Sequence, residues 1–173
     1  MRFLKLGLIS FVFLFLLITA ISLLLPSTIN ISRAIDITAP FDSVYSNINN
    51  VTKWKNWYAN FDSAAVSFSN KTSGEGSSIT MNKTTVAILN SNADKIKTVW
   101  HSGTRTLEGE FNFIKQNNAS QVSVQWLFVQ HVKWYPWEKL ALIVTDKTIG
   151  PVMEKSLDNL KMLVEKQGVD PRE

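Results

Sequence analysis

Residues 6–25 form one apolar run without a charge, in which Ser10, Thr19 and Ser22 are the only hydroxyl-bearing positions. A helix of that length rises about 30 Å, the thickness of a bilayer hydrocarbon core. A cleaved signal peptide is the rival reading. Its apolar region usually runs about 7–15 residues and ends in a small-x-small site. Here the run ends Leu23-Leu24-Leu25-Pro26, so an uncleaved transmembrane anchor over residues 1–27 is the expectation. After it the pattern changes. Residues 29–37 alternate apolar and polar, the period of a strand with one buried face. Ala39-Pro40 stops that strand, and Pro40 with Asp42 and Ser43 opens a short helix through Ile48. A second helical turn carries Trp54 and Trp57. Strand signals then recur at 65–69, 77–82, 85–90, 95–102, 106–115 and 121–132. The breaks between them, such as Ser73-Gly74-Glu75-Gly76 and Ser102-Gly103, are turn chemistry.

From 137 to 166 the period lengthens. Met153, Leu157, Leu160 and Val164 recur at three and four residues, one stripe of a helix. Gly150-Pro151 is expected to kink or restart that helix, since proline removes a backbone donor and crowds the preceding turn. One strand, two short helices, six strands and a long apolar-striped helix predict an α+β fold. A curved antiparallel sheet of about seven strands would grip the C-terminal helix on its concave face.

Three segments carry a family resemblance. Ile35-Asp36-Ile37-Thr38-Ala39-Pro40 followed by Val44-Tyr45 resembles the opening of START-like (SRPBCC, polyketide cyclase and lipid-transport) domains. Lys53-Trp54-Lys55-Asn56-Trp57 is similar to their Trp-x-x-Trp, and Ile149-Gly150-Pro151 with Leu157-Asp158-Asn159-Leu160-Lys161 to their ending. The short N-terminal anchor also resembles that of membrane-tethered bacterial members. The resemblance implies a helix-grip domain at 28–168, followed by a tail at 169–173, with a cavity between sheet and helix. Family members bind lipids, sterols, polyketides or other apolar ligands, and a minority are enzymes.

Charge adds orientation. Arg2 and Lys5 precede the apolar run and no Lys or Arg follows until Arg33. The positive-inside tendency then puts the N-terminus in the cytoplasm and the domain on the periplasmic or extracellular side. With no cysteine, the domain has no disulfide to lean on there. The net charge of +4 includes both anchor residues, leaving 16 basic against 14 acidic side chains, scattered along the chain. That balance gives no electrostatic footprint for nucleic acid. Only five residues, Pro26 to Asn30, join anchor to domain, so the domain is expected to sit on the membrane surface.

Candidate chemistry is sparse. His101 and His131 are the only histidines, neither has a ligand partner at useful spacing, and no metal or cofactor is expected. Glu108 and Glu110 share a strand face opposite Leu107, Gly109, Phe111 and Phe113, which points them to solvent and away from paired-carboxylate catalysis. Asp146 stands either inside a cavity or in solvent. No catalytic residue is nominated. The aromatic load is more telling. Trp100, Phe111, Phe113, Trp126 and Phe128 fall on the concave strand phase. With Leu140, Val144 and Met153 of the long helix they are the expected cavity lining. Trp134, Tyr135 and Trp137, with Arg105 from a neighbouring hairpin, are the expected cavity mouth near the membrane. Three function classes remain open: a monomeric binding module for a lipid or other apolar small molecule, a structural or partner-binding domain with a filled core, and a cyclase-type enzyme. An apolar cavity of at least about 300 Å³ would favour the first.

Overall fold

The computed structural model describes residues 2–24, 27–116, 120–132 and 135–167. The N-terminal apolar run forms α1 (Arg2–Leu24), in which Lys5–Leu24 is long and apolar enough to cross a membrane. Its large apolar side chains are almost all exposed, so the rest of the chain does not cover them.

Then follow β1 (Thr28–Ile37), α2 (Phe41–Asn49), a 3-10 helix at Val51–Asn56 and a shorter one at Ser63–Ala65. The remaining strands are β2 (Val66–Phe68), β3 (Ser78–Met81), β4 (Thr84–Ser91), β5 (Lys95–Ser102), β6 (Arg105–Lys115) and β7 (Val122–His131). The last element is α3 (Pro136–Gln167). The seven strands make one antiparallel sheet in the order β1-β7-β6-β5-β4-β3-β2. From β2 to β7 neighbours in sequence are neighbours in space. The exception is β1, which pairs with the last strand over its whole length, from Thr28 opposite His131 to Ile37 opposite Val122. An extra residue on β4 at Leu89 shifts the register against β5, and a bulge of this kind bends the strand and adds twist. The sheet curves, and α3 lies on its concave side. This is the helix-grip arrangement.

The stripe read from the sequence is the gripped face. Met153, Leu157, Leu160 and Val164 are all buried, against Ile37, Trp54, Trp57, Phe111, Val124 and Trp126 of one continuous core. The 3-10 segment adds its tryptophans as core. The Trp54 indole N–H donates to the Ile48 carbonyl at 2.8 Å and that of Trp57 to the Asn47 carbonyl at 3.0 Å. The edge strand β1 also holds α3 by polar contacts. Arg33 bridges Asp146 and Glu154, Lys161 Nζ donates to the Asp36 carbonyl, and the Thr38 N–H donates to Glu165.

Of the two outcomes expected at Gly150-Pro151, a kink or a restart, the restart does not occur: α3 runs through both residues as one helix. Pro151 removes a single backbone donor, and Arg33 clamps the turns on either side through Asp146 and Glu154. Gly150 makes room for that clamp, because a Cβ there would lie 2.4 Å from the Arg33 guanidinium.

Gly109 plays a comparable part in the sheet. A Cβ on it would fall 2.4 Å from Thr98 Oγ1 and 3.0 Å from both Trp100 Nε1 and Phe128 Cε1. The Trp100 indole therefore occupies the space that glycine leaves, with its N–H donating to Thr98 Oγ1 at 3.0 Å. Gly109→Ala is expected to destabilise the fold by about 1–3 kcal/mol, the usual range for overpacking. A chemical denaturation midpoint equal to that of the wild type would contradict this packing.

Candidate functional site

Between the sheet and α3 lies a cavity of about 300 Å³. Its deep wall is apolar: Trp100, Leu107, Trp126 and Phe128 from β5, β6 and β7 face Ile149, Val152 and Met153 of α3. Strand alternation puts the four sheet residues on one face, and the spacing of three and one along α3 puts the helical ones on one side. Towards the opening the lining turns polar, with Tyr58, Asn60, Thr84, Ser102, Arg105 and Thr148. The mixture of an apolar body with a few polar groups near one end is the usual make-up of a small-molecule pocket.

Aromatic rings build most of this wall. Trp126 stacks on Phe111 with centroids 4.7 Å apart and tilts against Phe128 at 5.2 Å and Trp100 at 5.9 Å. Tyr58 closes the side, 5.5 Å from Trp100. Burial pushes the Tyr58 hydroxyl up to about 12, so at neutral pH it stands as an uncharged phenol. Among the described lining residues, Tyr58 and Arg105 are the titratable ones. Arg105 is exposed at the rim and makes no ion pair or side-chain hydrogen bond among the described residues.

The expected lining residues divide. Trp100, Trp126, Phe128 and Met153 line the cavity. Phe111 and Phe113 do not reach it. Phe111 lies behind Trp126, packed edge-on against Trp57. Phe113 is two residues further along β6 towards α2, where Phe41 and Tyr45 cover it at 5.6 Å and 5.5 Å. Strand phase gives the face but not the position along it, which is why these two were grouped with the cavity. The side chains of Leu140 and Val144 lie outside the described residues, as does Trp134. Asp146 is half exposed in its ion pair with Arg33 and lies outside the cavity. Tyr58, Ile149 and Val152 were not anticipated. Leu107 was legible as an inward position, and its phase with Gly109 and Phe111 was the available signal.

The outward readings of the charged groups match the structure. Glu108 is exposed, while Glu110 pairs with Lys95 and Lys97 on the convex face. His131 is exposed and meets Thr28 Oγ1 at 3.1 Å, and His101 meets Thr106 Oγ1 at 3.0 Å. Among the described residues no cluster of three His, Asp or Glu side chains could hold a metal ion.

The rim shares an end of the domain with α1. The β5–β6 turn, the end of β7 and the start of β1 lie along one edge of the sheet. A second, polar depression of about 430 Å³ there brings Thr104, Arg105 and Thr106 beside Gln130, His131, Glu138 and Thr145. At the same end Lys139 of α3, buried, donates from Nζ to the Ser22 carbonyl at 2.7 Å, in the last turn of α1. Helix C-termini leave carbonyls without partners and carry partial negative charge, so the ammonium both satisfies and neutralises that end. Tyr135 and Trp137 stack with parallel rings 5.0 Å apart, and Trp137 is 60% exposed. A larger depression of about 580 Å³ shares Tyr58, Asn60 and Thr84 with the cavity. It is more open to solvent than the cavity, and its lining includes Asp62, Asn82 and Lys83.

No family model matches the sequence, and no curated protein sequence matches it. Solved structures do match the fold. The di-domain ARO/CYC StfQ from the steffimycin biosynthetic pathway aligns with a TM-score of 0.62 at 10% identity, over 82% of this chain and 52% of its own. A protein of Nitrosospira multiformis aligns at 0.61 with 11% identity, covering 79% of this chain and 96% of that one. CalU16 from Micromonospora echinospora aligns at 0.58 with 15% identity, over 78% and 73%. At such identities these likenesses establish a shared architecture alone.

Proposed function

We propose that this protein is a membrane-attached binding domain that takes an apolar small molecule into the cavity between its sheet and α3. The observation that carries this reading is the cavity itself: about 300 Å³, walled by Trp100, Trp126, Phe128 and Met153 and left unfilled by the core. That volume stands at the low end of the usual range for ligand pockets, about 300–1,000 Å³. A compact ring system or a single short chain suits it better than a whole two-chain lipid. A fold neighbour named as an ARO/CYC of a biosynthetic pathway supports small-molecule handling in this architecture. The structural-domain alternative needs a filled core, and the cavity counts against it. The enzyme alternative needs an acid or base poised near neutral pH in the cavity, whereas the titratable groups of the described lining are a phenol that burial pushes up to about 12 and a rim arginine.

Membrane attachment belongs to the same proposal. α1 anchors the domain, with its N-terminus on the cytoplasmic side and the domain on the other. The Lys139–Ser22 contact and the short connection keep the rim near the bilayer. Tyr135 and Trp137 then sit at headgroup level, where a ring can be buried while its polar atom stays hydrated. Arg105 pairs there with a lipid phosphate. A ligand can pass from the bilayer to the cavity without crossing open water.

The test places the full chain in bilayer discs containing bromine-labelled lipids, which quench tryptophan only on contact. Emission is expected to be quenched in the wild type and largely released in the Trp134→Ala, Trp137→Ala double variant. Equal quenching in both would rule out the bilayer-facing mouth.

A further inference from the structure

The rim of the cavity is a register feature of the sheet. Trp100 and Leu107 of the deep wall stand opposite each other on β5 and β6. Two residues nearer the β5–β6 turn, Ser102 stands opposite Arg105, and Thr84 of β4 stands opposite Ser102. Side chains two residues apart on a strand share a face, so Ser102 and Arg105 look to the same side as Trp100 and Leu107. All three members of this polar row line the cavity. Two residues of strand span about 7 Å, which sets the distance from apolar wall to polar rim. The intervening pair, His101 and Thr106, has the opposite phase and closes on itself at 3.0 Å.

The row carries two unused donors. Arg105 makes no ion pair or side-chain hydrogen bond among the described residues. Ser102 Oγ accepts from Thr84 Oγ1 at 3.1 Å, and its own proton meets no acceptor among the described residues. Arg105 borders two spaces. In the polar depression Glu138 shares the lining, and its carboxylate opposes a second anion. On the cavity side no Asp or Glu is among the described lining residues. An anion is therefore favoured on the cavity side, between the guanidinium and the Ser102 hydroxyl. The planar guanidinium fork matches a carboxylate or a phosphate with two parallel hydrogen bonds.

Resting on the binding reading above, we infer that the captured molecule is an anionic amphiphile. Its compact apolar body lies against Trp100, Phe128, Ile149 and Val152, and its carboxylate or phosphate head is held at the rim by Arg105 and Ser102. The deep wall carries no cation, since Arg105 is the only one in the described lining. The reverse orientation would bury the head without a counter-charge, so the molecule enters body first. Capture exchanges the bilayer phosphate at Arg105 for the ligand's own head.

The experiment uses the full chain in phosphatidylcholine discs with methyl-labelled methionines. Three probes share one naphthalene body: naphthaleneacetate, naphthylmethyl phosphonate and the neutral naphthaleneethanol. Met153 lines the cavity, so ring currents from a bound naphthalene move its methyl resonance, which is assigned by its loss in Met153→Leu. Titration of that shift gives an affinity for each probe. Arg105 is exposed and outside the core, so Arg105→Gln leaves the fold intact. The preference for anion over alcohol is expected to be about fivefold larger in the wild type than in Arg105→Gln, the scale of one exposed charge pair. Taking this ratio cancels the partitioning of each probe into lipid. The anion with the larger loss names the head, carboxylate or phosphate. Lys155→Gln, which removes an exposed lysine of α3 outside the cavity lining, is expected to keep the wild-type preference. A preference unchanged in Arg105→Gln for both anions, or lowered equally in Lys155→Gln, would overturn the anionic-head inference and leave the apolar cavity standing. A Met153 resonance unmoved by all three probes would remove the binding reading and the inference with it.

Discussion

Leu157→Asp is expected to leave the domain unfolded. Leu157 is 1% exposed at the centre of the α3 stripe, between Met153 and Leu160. A carboxylate there either stays charged without a partner or takes up a proton, and each course costs several kcal/mol. A single domain has roughly 5–15 kcal/mol to lose, and the lost leucine packing adds to the deficit. The comparison is best made on residues 26–173, without α1. That segment contains every strand and the whole core, so it is expected to be a folded, soluble monomer. Circular dichroism should show a cooperative melt for the parent segment and none for the Leu157→Asp variant. A melting temperature that barely moves would mean that this stripe is not the gripped face.

The second large effect concerns ligand capture without loss of fold. Val152 lines the cavity from α3, and Val152→Phe sends a ring into space that is empty of protein. Filling a cavity commonly holds or raises stability by about 0.5–2 kcal/mol, in contrast to overpacking a filled core. Binding should suffer instead. Anilinonaphthalene sulfonate combines an apolar double-ring body with an anion that suits Arg105, and its emission rises in apolar surroundings. Its affinity for the 26–173 segment is expected to fall at least about tenfold in Val152→Phe, about 1.4 kcal/mol, with an unchanged or higher melting temperature. A parallel loss of affinity and of melting temperature would point to damage to the fold and not to an occupied cavity.

The strands and the helical stripe were readable in the sequence because each buries one face, and burial imposes a period. Ile29 to Ile37 and Val122 to Phe128 alternate, and Met153 to Val164 repeat at three and four. The pairing of β1 with β7 was not legible, since nothing local in either strand names its partner. The restart expected as one outcome at Pro151 did not occur, and the contacts that hold the turns on either side come from Arg33, more than a hundred residues earlier in the chain. The same limit governs the site. Trp100, Trp126 and Phe128 were visible as inward aromatics. Their separation from Phe111 and Phe113 depends on where α2 and the tryptophan turns cover the sheet, and Phe41 and Tyr45 supply that cover over Phe113. Tyr58 follows a 3-10 turn with no period to betray its direction.

A binding domain of the proposed kind holds a small molecule in its cavity when isolated from the cell. The direct measurement is mass spectrometry of organic extracts from the full chain, purified within native-membrane particles, beside the Val152→Phe variant prepared identically. At least one small apolar compound is expected to be retained by the wild type and lost from the variant, against an unchanged background of bulk lipid. Indistinguishable extracts from the two proteins would contradict the binding reading.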